Sequence, residues 1–266
     1  MVTALLVVLG FFAGLLGALT GIGGGVLLTP ILALYFGIPI REAIGTSLVA
    51  VITTSAASSS VHLQRHTTDI RLGMTLELAT ALGAGVTAYL VGYFNRNLLE
   101  GLFAAFLLYS SITILSKRGK VKPLEGDESA ASVDESVIPP YEPKRYPLGL
   151  AASLVAGALS GLLGIGGGPI KVPVMYIFMN VPLMVATATS NFMIGVTAAA
   201  SAMVYYRRGD ILVQYTAPLA VGVFVGSLLG ARLAPRIHTK IIVYLLVGVM
   251  LYLAGHLTVH LLRGWL

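Results

Sequence analysis

Two glycine clusters carry the pattern in this sequence that is most suggestive of chemistry. Gly-Ile-Gly-Gly-Gly occurs at residues 21–25 and again at residues 164–168, and a proline follows each copy five residues later. Consecutive glycines disfavour helix by about 1 kcal/mol each relative to alanine, so we expect a helix break at each cluster. A helix that restarts after a break presents unpaired N–H groups and the positive end of its dipole, which together outline an anion site. The alternative is close helix packing through small residues, but the duplication favours the anion site.

Lys171 is the ionisable residue that stands closest after a glycine cluster. It lies three positions beyond Gly168, in a segment that is otherwise free of charge. Inside a membrane an ionisable side chain is costly, so it marks a functional site by default. The sequence therefore predicts that the Lys171 ammonium binds an anion, the alternative being a lysine that snorkels to the interface. Leu28 occupies the matching position after the first cluster, so the two half-sites are not equivalent.

Polar residues at matching positions complete the predicted binding set. Thr46-Ser47 and Thr189-Ser190 lie 143 residues apart, and Asn191 follows the second pair. Their hydroxyl and amide groups can donate hydrogen bonds to the oxygens of an anion. Interhelical hydrogen bonding is the alternative for each of them taken singly. The predicted substrate-binding residues are Gly23, Gly24, Gly25, Thr46, Ser47, Gly166, Gly167, Gly168, Lys171, Thr189, Ser190 and Asn191.

Glu77 and His62 are the candidates for proton coupling. Buried carboxylates carry protons in coupled transport, and histidine titrates near neutral pH. The sequence favours a plainer role for each of them. Glu77 is expected near the interface, paired with Arg71 or another charge, and His62 is expected to be solvated at a helix end.

Other polar residues point to structure rather than to chemistry. Asp69 and Asp210 each precede an apolar run and are expected to cap a helix. His256 and His260 have the i, i+4 spacing of a zinc pair, but no third ligand stands near them in the sequence. We therefore expect no metal and no cofactor.

The composition is that of a membrane protein. Of the 266 residues 56% are hydrophobic and 11% are charged, less than half of the roughly 25% charge of soluble domains. Twelve of the 28 charged residues lie between Lys117 and Arg145, which leaves too few to solubilise a globular surface. The basic residues stand at the ends of apolar runs, so nucleic acid is not an expected partner. The absence of cysteine excludes disulfides and thiolate chemistry.

The apolar runs predict an all-α polytopic fold. Eight runs are about long enough to span a bilayer, at residues 2–19, 43–61, 72–94, 98–115, 147–163, 185–206, 213–233 and 241–259. Two shorter runs, 26–36 and 169–179, follow the glycine clusters. The predicted organisation is a first transmembrane repeat at residues 1–116, a charged cytoplasmic linker at 117–146 and a second repeat at 147–266. Each repeat has about four long helices and a short helix after the glycine break.

The two halves align as a tandem duplication. The offset of 143 residues between the glycine clusters also places Pro39 on Pro182, and Asp69 matches Asp210 after two residues drop out. If each short segment turns back, a half has five membrane segments and the repeats are inverted; otherwise a half has four and the repeats are parallel. In either case eleven basic residues against five place the linker in the cytoplasm. We predict inverted repeats, with both termini and the loop after Arg207 outside.

These motifs resemble the TauE/SafE family of sulfite exporters, part of the wider toluene-sulfonate uptake permease group. The resemblance is carried by residues 14–30, by their repeat through Pro173, and by the segments 44–48 and 188–192. It covers nearly the whole chain except the linker. It implies a secondary transporter of the plasma membrane that works without ATP on sulfite, thiosulfate, sulfoacetate or another small sulfur-containing anion. Export and the use of protons are implied by the family alone.

The predicted function is transport of a small sulfur-containing anion, and there are two alternative functions. An anion channel with a glycine-lined pore is the alternative, but pores are ordinarily built from symmetric copies, unlike Leu28 and Lys171. A membrane enzyme would need carboxylates or metal ligands gathered on one side. The acidic residues outside the linker are Glu42, Asp69, Glu77, Glu100 and Asp210, too few and too scattered, so no enzyme is expected. A homodimer is compatible with the sequence.

Overall fold

Helices form all the regular structure in the part of the chain that the computed structural model describes, residues 2–117, 141–234 and 239–263. The predicted all-α fold is confirmed. The helices are α1 Val2–Thr20, α2 Gly25–Tyr35, α3 Ile40–Gln64, α4 Ile70–Leu90, α5 Arg96–Lys117, α6 Tyr146–Leu163, α7 Gly168–Pro173, α8 Leu183–Arg208, α9 Val213–Leu233 and α10 Thr239–Arg263. Residues 118–140 of the predicted linker lie outside the described residues.

Six of the described helices are long and apolar enough to cross a membrane. They are α1, α3, α4 with its 3₁₀ extension through Tyr93, α6, α8 and α9. α2 is shorter, and α7 runs directly into a π-helical segment at Val174–Phe178. The short segments begin where the glycine clusters end, as the sequence predicts.

The two predicted aspartate caps have different outcomes. Asp69 caps α4, since its Oδ1 accepts a hydrogen bond from the Leu72 N–H at 2.9 Å. The expectation for Asp210 is wrong, because α9 begins only at Val213 and Asp210 instead pairs with Arg208 at 3.1 Å. α9 thus starts three residues after the aligned aspartate, whereas α4 starts directly after Asp69, so Asp210 stands too far from the helix to cap it.

α1 and α2 form a hairpin that turns back inside the protein. Gly24 follows the turn and lies against α1, where a Cβ would stand 2.8 Å from the Ala13 carbonyl oxygen. Near the other end of the hairpin, Leu32 of α2 packs in one apolar cluster with Leu6 of α1. The start of α1 and the end of α2 therefore lie on the same side of the protein.

α6 and the segment formed by α7 and the π-helix make the equivalent hairpin in the second half. Gly167 lies against α6, with a Cβ position 3.1 Å from the Ala156 carbonyl oxygen. At the open end, a Cβ on Gly149 would lie 2.6 Å from the Met179 sulfur. Both short segments thus turn back, as the five-segment alternative requires.

The two halves exchange equivalent contacts. α1 packs along α9, and its counterpart α6 packs along α4, the counterpart of α9; α3 packs against α8, and α5 against α10. Glycines permit the closest approaches: a Cβ on Gly226 would lie 2.0 Å from the Phe11 carbonyl oxygen, and one on Gly157 2.0 Å from that of Thr80. Reciprocal contacts of this kind are expected from two halves that are related by an approximate two-fold axis. The orientation of each half in a membrane stays a prediction.

One end of the bundle, which we call the linker end, gathers the loop 65–69 and the last residues of the linker. The Tyr141 hydroxyl donates to Asp69 Oδ2 at 2.7 Å, and the Lys144 N–H donates to the Met179 carbonyl at 2.9 Å. Burial and the Asp69 carboxylate raise the pKa of the Tyr141 phenol, so its hydroxyl keeps the proton that it donates.

The opposite end, which we call the far end, gathers the loops 91–95 and 209–212. Arg41 at the start of α3 donates to the Phe94 carbonyl. Glu100 near the start of α5 lies 3.4 Å from His260 near the end of α10. The loop after α8 also belongs here, because Thr46 of α3 accepts a hydrogen bond from Leu212 at 3.3 Å.

These two ends give the topology prediction a direct test. Arg207→Cys lies at the far end and Arg71→Cys at the linker end, and both native side chains are exposed. In intact cells a membrane-impermeant maleimide is expected to label Arg207→Cys, and to label Arg71→Cys only after permeabilisation. Ser129→Cys, in the linker that is predicted to be cytoplasmic, is expected to label together with Arg71→Cys. The background is zero because the chain has no native cysteine. Labelling of both loops from the same side would contradict the predicted topology.

Candidate functional site

The two glycine clusters form matching turns at the closed ends of the hairpins. Gly21, Gly23 and Gly24 have φ of 72°, 90° and 76°, and their counterparts Gly164, Gly166 and Gly167 have φ of 71°, 75° and 77°. Left-handed backbone of this kind strains any residue with a Cβ, so the clusters require glycine for conformation. The predicted helix breaks are therefore present, with the same geometry in each half.

The two turns pack directly against each other, backbone to backbone. A Cβ on Gly25 would lie 2.2 Å from the Gly164 carbonyl oxygen, and one on Gly168 would lie 2.2 Å from the Gly21 carbonyl oxygen. α2 begins at Gly25, and its first backbone N–H groups precede the first intrahelical hydrogen bonds. The crossing of the turns therefore places N–H groups from the start of a helix, and carbonyl groups of the turns, in the interior of the bundle.

Val51 of α3 and Ile194 of α8, which occupy matching positions, cover the two turns. The Cβ position of Gly23 is 2.6 Å from Ile194 Cδ1, and that of Gly166 is 3.0 Å from Val51 Cγ1. Both covering side chains are fully buried in one apolar cluster. In this arrangement the turns are closed off by apolar side chains.

Ser47 and Ser190, two of the predicted binding residues, lie beside the crossing, and each contacts the turn of the opposite half. Ser190 donates to the Gly21 carbonyl at 2.9 Å. Ser47 accepts from Thr29 at 2.7 Å and lies 3.3 Å from the Gly164 carbonyl oxygen. These hydroxyls are buried and lie next to the crossing, which is the position required of groups that would meet a ligand there.

Asn191 is the predicted residue with an unused acceptor. Its amide nitrogen donates to the Ala18 carbonyl at 3.0 Å and lies 3.4 Å from His62 Nε2. Its Oδ1 is buried and has no hydrogen-bond partner among the described residues. His62 is 6% exposed, so the expectation that it is solvated at a helix end is wrong. It lies inside the bundle because α3 extends beyond the predicted run and turns this face inward.

Thr46 and Thr189 lie further from the crossing and join helix ends. Thr189 accepts a hydrogen bond from the Asp69 N–H at 3.0 Å, and Thr46 accepts the equivalent bond from Leu212. Each threonine thus binds the loop that precedes α4 or α9. These contacts match the interhelical alternative that the sequence left open, while a role in binding stays a prediction for both.

Lys171 is fully engaged with two partners in the core. Its Nζ donates to Glu77 Oε2 and to Thr197 Oγ1, both at 3.0 Å, and the Thr197 hydroxyl donates to Glu77 Oε1 at 2.5 Å. The exposed fractions of Lys171, Glu77 and Thr197 are 2%, 5% and 0%. We call these three residues the buried triad.

The buried triad corrects one expectation and excludes one alternative. Glu77 does not lie near an interface beside Arg71; it is buried and pairs with Lys171, whereas Arg71 is exposed. Lys171 is not a snorkelling lysine either, because its ammonium is enclosed. It is also not a free cation in this arrangement, since a carboxylate neutralises it at hydrogen-bond distance. Its predicted contact with an anion therefore requires a rearrangement of the triad.

Thr197 was missed by the sequence reasoning, although a signal was present. It stands at the position of α8 that matches Thr54 of α3, with the same offset of 143 residues as the glycine clusters. The Thr54 hydroxyl instead donates within its own helix, to the Ala50 carbonyl at 3.1 Å. The matching position therefore has the same residue type but a different environment.

The charged and imidazole side chains near the crossing of the turns belong to one of the two matching half-sites. The positions that match Lys171, Glu77, Asn191 and His62 hold Leu28, Pro218, Leu48 and Tyr205. Tyr205 is fully buried and donates to the Gly161 carbonyl at 2.9 Å, so its hydroxyl is satisfied within the protein. The two half-sites thus share a backbone and differ in chemistry.

The buried triad predicts that removing one of its two charges destabilises the protein strongly and that removing both does not. Lys171→Met leaves the Glu77 carboxylate buried without its partner, which is expected to cost about 3–5 kcal/mol of unfolding free energy. The double variant Lys171→Met/Glu77→Gln removes both charges and should recover most of that loss. Denaturant unfolding of the purified protein measures the two values.

The matched control for this pair is Arg96→Met. Arg96 pairs with Glu100 at 2.6 Å, but its side chain is 61% exposed. Its loss is expected to cost less than the loss of Lys171, because the Arg96 guanidinium is solvated and the buried Glu100 carboxylate keeps His260 as a second partner at 3.4 Å. Equal losses for Lys171→Met and Arg96→Met would contradict a buried, mutually dependent pair.

Comparison with known proteins is consistent with this architecture. A family model described as sulfite exporter TauE/SafE matches residues 6–257. The probable membrane transporter protein YunE of Bacillus subtilis is 31% identical over 233 residues, covering 84% of this chain and 85% of that protein. The probable membrane transporter protein MJ0441 of Methanocaldococcus jannaschii is 29% identical over 238 residues, covering 84% of this chain and 83% of that protein. No solved structure matches the chain.

The family model spans both hairpins and all the long helices except the ends of α1 and α10. The relatives are named as transporters and match the chain over most of their own length. The predicted resemblance is therefore confirmed, and the chain belongs to the sulfite exporter TauE/SafE family of membrane transporters.

Proposed function

We propose that this protein is a secondary transporter that exports a small sulfur-containing anion, sulfite or an organosulfonate, across the plasma membrane with proton coupling. The observation that carries the proposal is the crossing of two matching glycine turns inside a chain of this transporter family. Paired helix breaks at matching places in two repeats are the feature that transporters use to build a substrate site near the middle of the membrane.

The anion would lie at the crossing of the turns. The N–H groups in the first turn of α2 carry the positive end of the helix dipole and suit an oxyanion. Ser47 and Ser190 lie beside them and would supply hydroxyl donors by releasing the carbonyl groups to which they now donate. A small tetrahedral or pyramidal anion would suit a site built from glycine backbone once the two turns move apart, because Gly25 and Gly168 now lie against carbonyl groups of the opposite turn.

Opening of the site would follow from movement of one half against the other. Val51 and Ile194 close the turns in the present arrangement. Tilting of one repeat separates the side chains on one face of the crossing and brings them together on the other, which gives alternating access. No ATP-binding loop is needed for such a cycle, since the anion gradient or a coupled ion drives it.

Counterflow in proteoliposomes tests the proposal. Vesicles loaded with unlabelled sulfite, thiosulfate or 2-hydroxyethanesulfonate are diluted into a trace of the same anion labelled with sulfur-35. A transporter is expected to take up the label faster when the vesicle holds the matching anion, and the initial rate should saturate with concentration. Uptake that rises linearly and ignores the internal anion would indicate a pore, and the absence of uptake for all three anions would contradict the proposed substrate class.

The glycine turns predict a specific loss of this exchange. Gly24→Ala and Gly167→Ala place a methyl group within 2.8 and 3.1 Å of the α1 and α6 backbone, at a positive φ. The turns must then shift, which displaces the first N–H groups of α2 from the proposed position of the anion. We expect exchange to fall at least about tenfold in each variant, the equivalent of about 1.4 kcal/mol in the barrier.

Gly37→Ala is the matched control. Gly37 also has a positive φ, of 63°, but nothing lies within 4 Å of its Cβ position. It therefore bears the same backbone strain, about 1–2 kcal/mol, without any effect on the crossing. Exchange should stay near the wild-type rate in this variant. Equal losses in all three variants would reduce the glycine turns to a requirement for folding.

A further inference from the structure

The buried triad has no net charge, although it contains the lysine that stands nearest the glycine turns. The Lys171 ammonium and the Glu77 carboxylate are 3.0 Å apart, and Thr197 bridges them by accepting from one and donating to the other. A pair that is neutral overall exerts little attraction on an anion. The lysine gains a charge to offer only when the carboxylate loses its own.

The fold does not require an ion pair at this place. The same architecture is built at the matching positions with Leu28 and Pro218, while the threonine is kept as Thr54. Buried pairs contribute little to stability compared with apolar residues of similar volume, so their presence in one half points to function. An ionisable pair inside a membrane protein is a functional site by default.

We propose that Glu77 and the transported anion compete for Lys171, and that a proton on Glu77 releases the lysine to the anion. This inference rests on the proposed function. An anion that approached the ionised pair would place two negative charges on one buried ammonium, which is unfavourable in a medium of low dielectric constant. Protonated Glu77 stays in place by hydrogen bonding to Thr197, while the Lys171 side chain turns towards the crossing.

This competition determines whether the proton moves with the anion or against it. Proton and anion bind together and leave together, so both cross the membrane in the same direction, one proton for each anion. The empty carrier returns with the Lys171–Glu77 pair re-formed and no net buried charge. Export of the anion therefore carries a proton outward, and an inward anion gradient acidifies the vesicle interior.

Among the titratable residues around Glu77, Lys171 is the one best placed to control the charge of its carboxylate. α4 packs against α6 and α8, and its N-terminal turns pack against the π-helical segment. The charged or titratable residues on these elements and on α7 are Arg71, Tyr89, Tyr146, Lys171, Tyr176, Tyr205, Tyr206, Arg207 and Arg208, with Asp69 as the α4 cap. Among these residues, Lys171 is the one whose charged group contacts the Glu77 carboxylate.

Proton uptake during binding tests the proposal. The anion that supports counterflow is titrated into purified protein at pH 8 in two buffers of different ionisation enthalpy, which yields the protons taken up per anion. Wild-type protein is expected to take up about one proton more than Glu77→Gln. The difference between the two proteins removes any proton that the anion itself carries. The affinity of the wild type should fall by up to tenfold per pH unit above the titration of Glu77, whereas Glu77→Gln should lose this dependence and bind at least as tightly.

Glu100→Gln is the matched control. Glu100 is also a buried carboxylate, 3% exposed and paired with Arg96, but it lies at the far end of the bundle. Its variant should take up the same number of protons as wild type. Equal proton uptake by wild type and Glu77→Gln would overturn the proposal, and so would a loss of binding in Glu77→Gln.

A second measurement needs no variant. Wild-type proteoliposomes that contain a pH-sensitive dye receive an inward gradient of thiosulfate or 2-hydroxyethanesulfonate, with protein-free liposomes as the blank. Acidification of the interior supports joint movement, whereas alkalinisation or an unchanged pH overturns it. Failure of the proposed function itself is distinguishable, because no anion would then show counterflow.

Discussion

Direct contact between the backbones of two glycine turns holds the centre of this protein together. Gly25 lies against the Gly164 carbonyl and Gly168 against the Gly21 carbonyl, so neither turn can accept a side chain at these positions. Broken helices within a membrane are tolerated only where protein or a wet cavity surrounds the freed backbone groups. Each turn meets this requirement by burying the other. The return of α2 and of α7, and hence the position of α3 and α8 over the crossing, depends on this contact.

The duplicated backbone carries different chemistry at its two half-sites. One has Lys171, Glu77, Asn191 and His62, and the other has leucines, a proline and a tyrosine at the matching positions. The matching residues Ser47 of α3 and Ser190 of α8 lie beside the crossing of the turns. The ion pair adds a group whose charge depends on a proton. A single anion site and a single coupling site are therefore consistent with two similar repeats.

The helices that follow from the apolar runs, and the helix breaks that follow from the glycine clusters, were predictable from the sequence. The run at 213–233 is α9 to the residue, and both helix breaks lie where the clusters predict. Contacts between distant segments were not predictable. Glu77 lies 94 residues from Lys171, and the duplication gave no hint of the pair because Pro218 matches the glutamate. The cap expected of Asp210 failed because the alignment of the two aspartates does not report where the next helix begins, and α9 begins only at Val213. Thr197 could have been found from its match with Thr54.

The most direct measurement is the position of a bound anion in a crystal of the protein grown with selenite. Selenite resembles sulfite in shape and charge, and the anomalous scattering of selenium locates it without ambiguity. The expected result is a selenium peak at the crossing of the glycine turns, with selenite oxygens accepting hydrogen bonds from the first N–H groups of α2 and from Lys171 Nζ and with the Lys171–Glu77 contact broken. A peak elsewhere in the bundle, or a peak at the crossing with that contact intact, would contradict the role assigned to the turns or to the lysine.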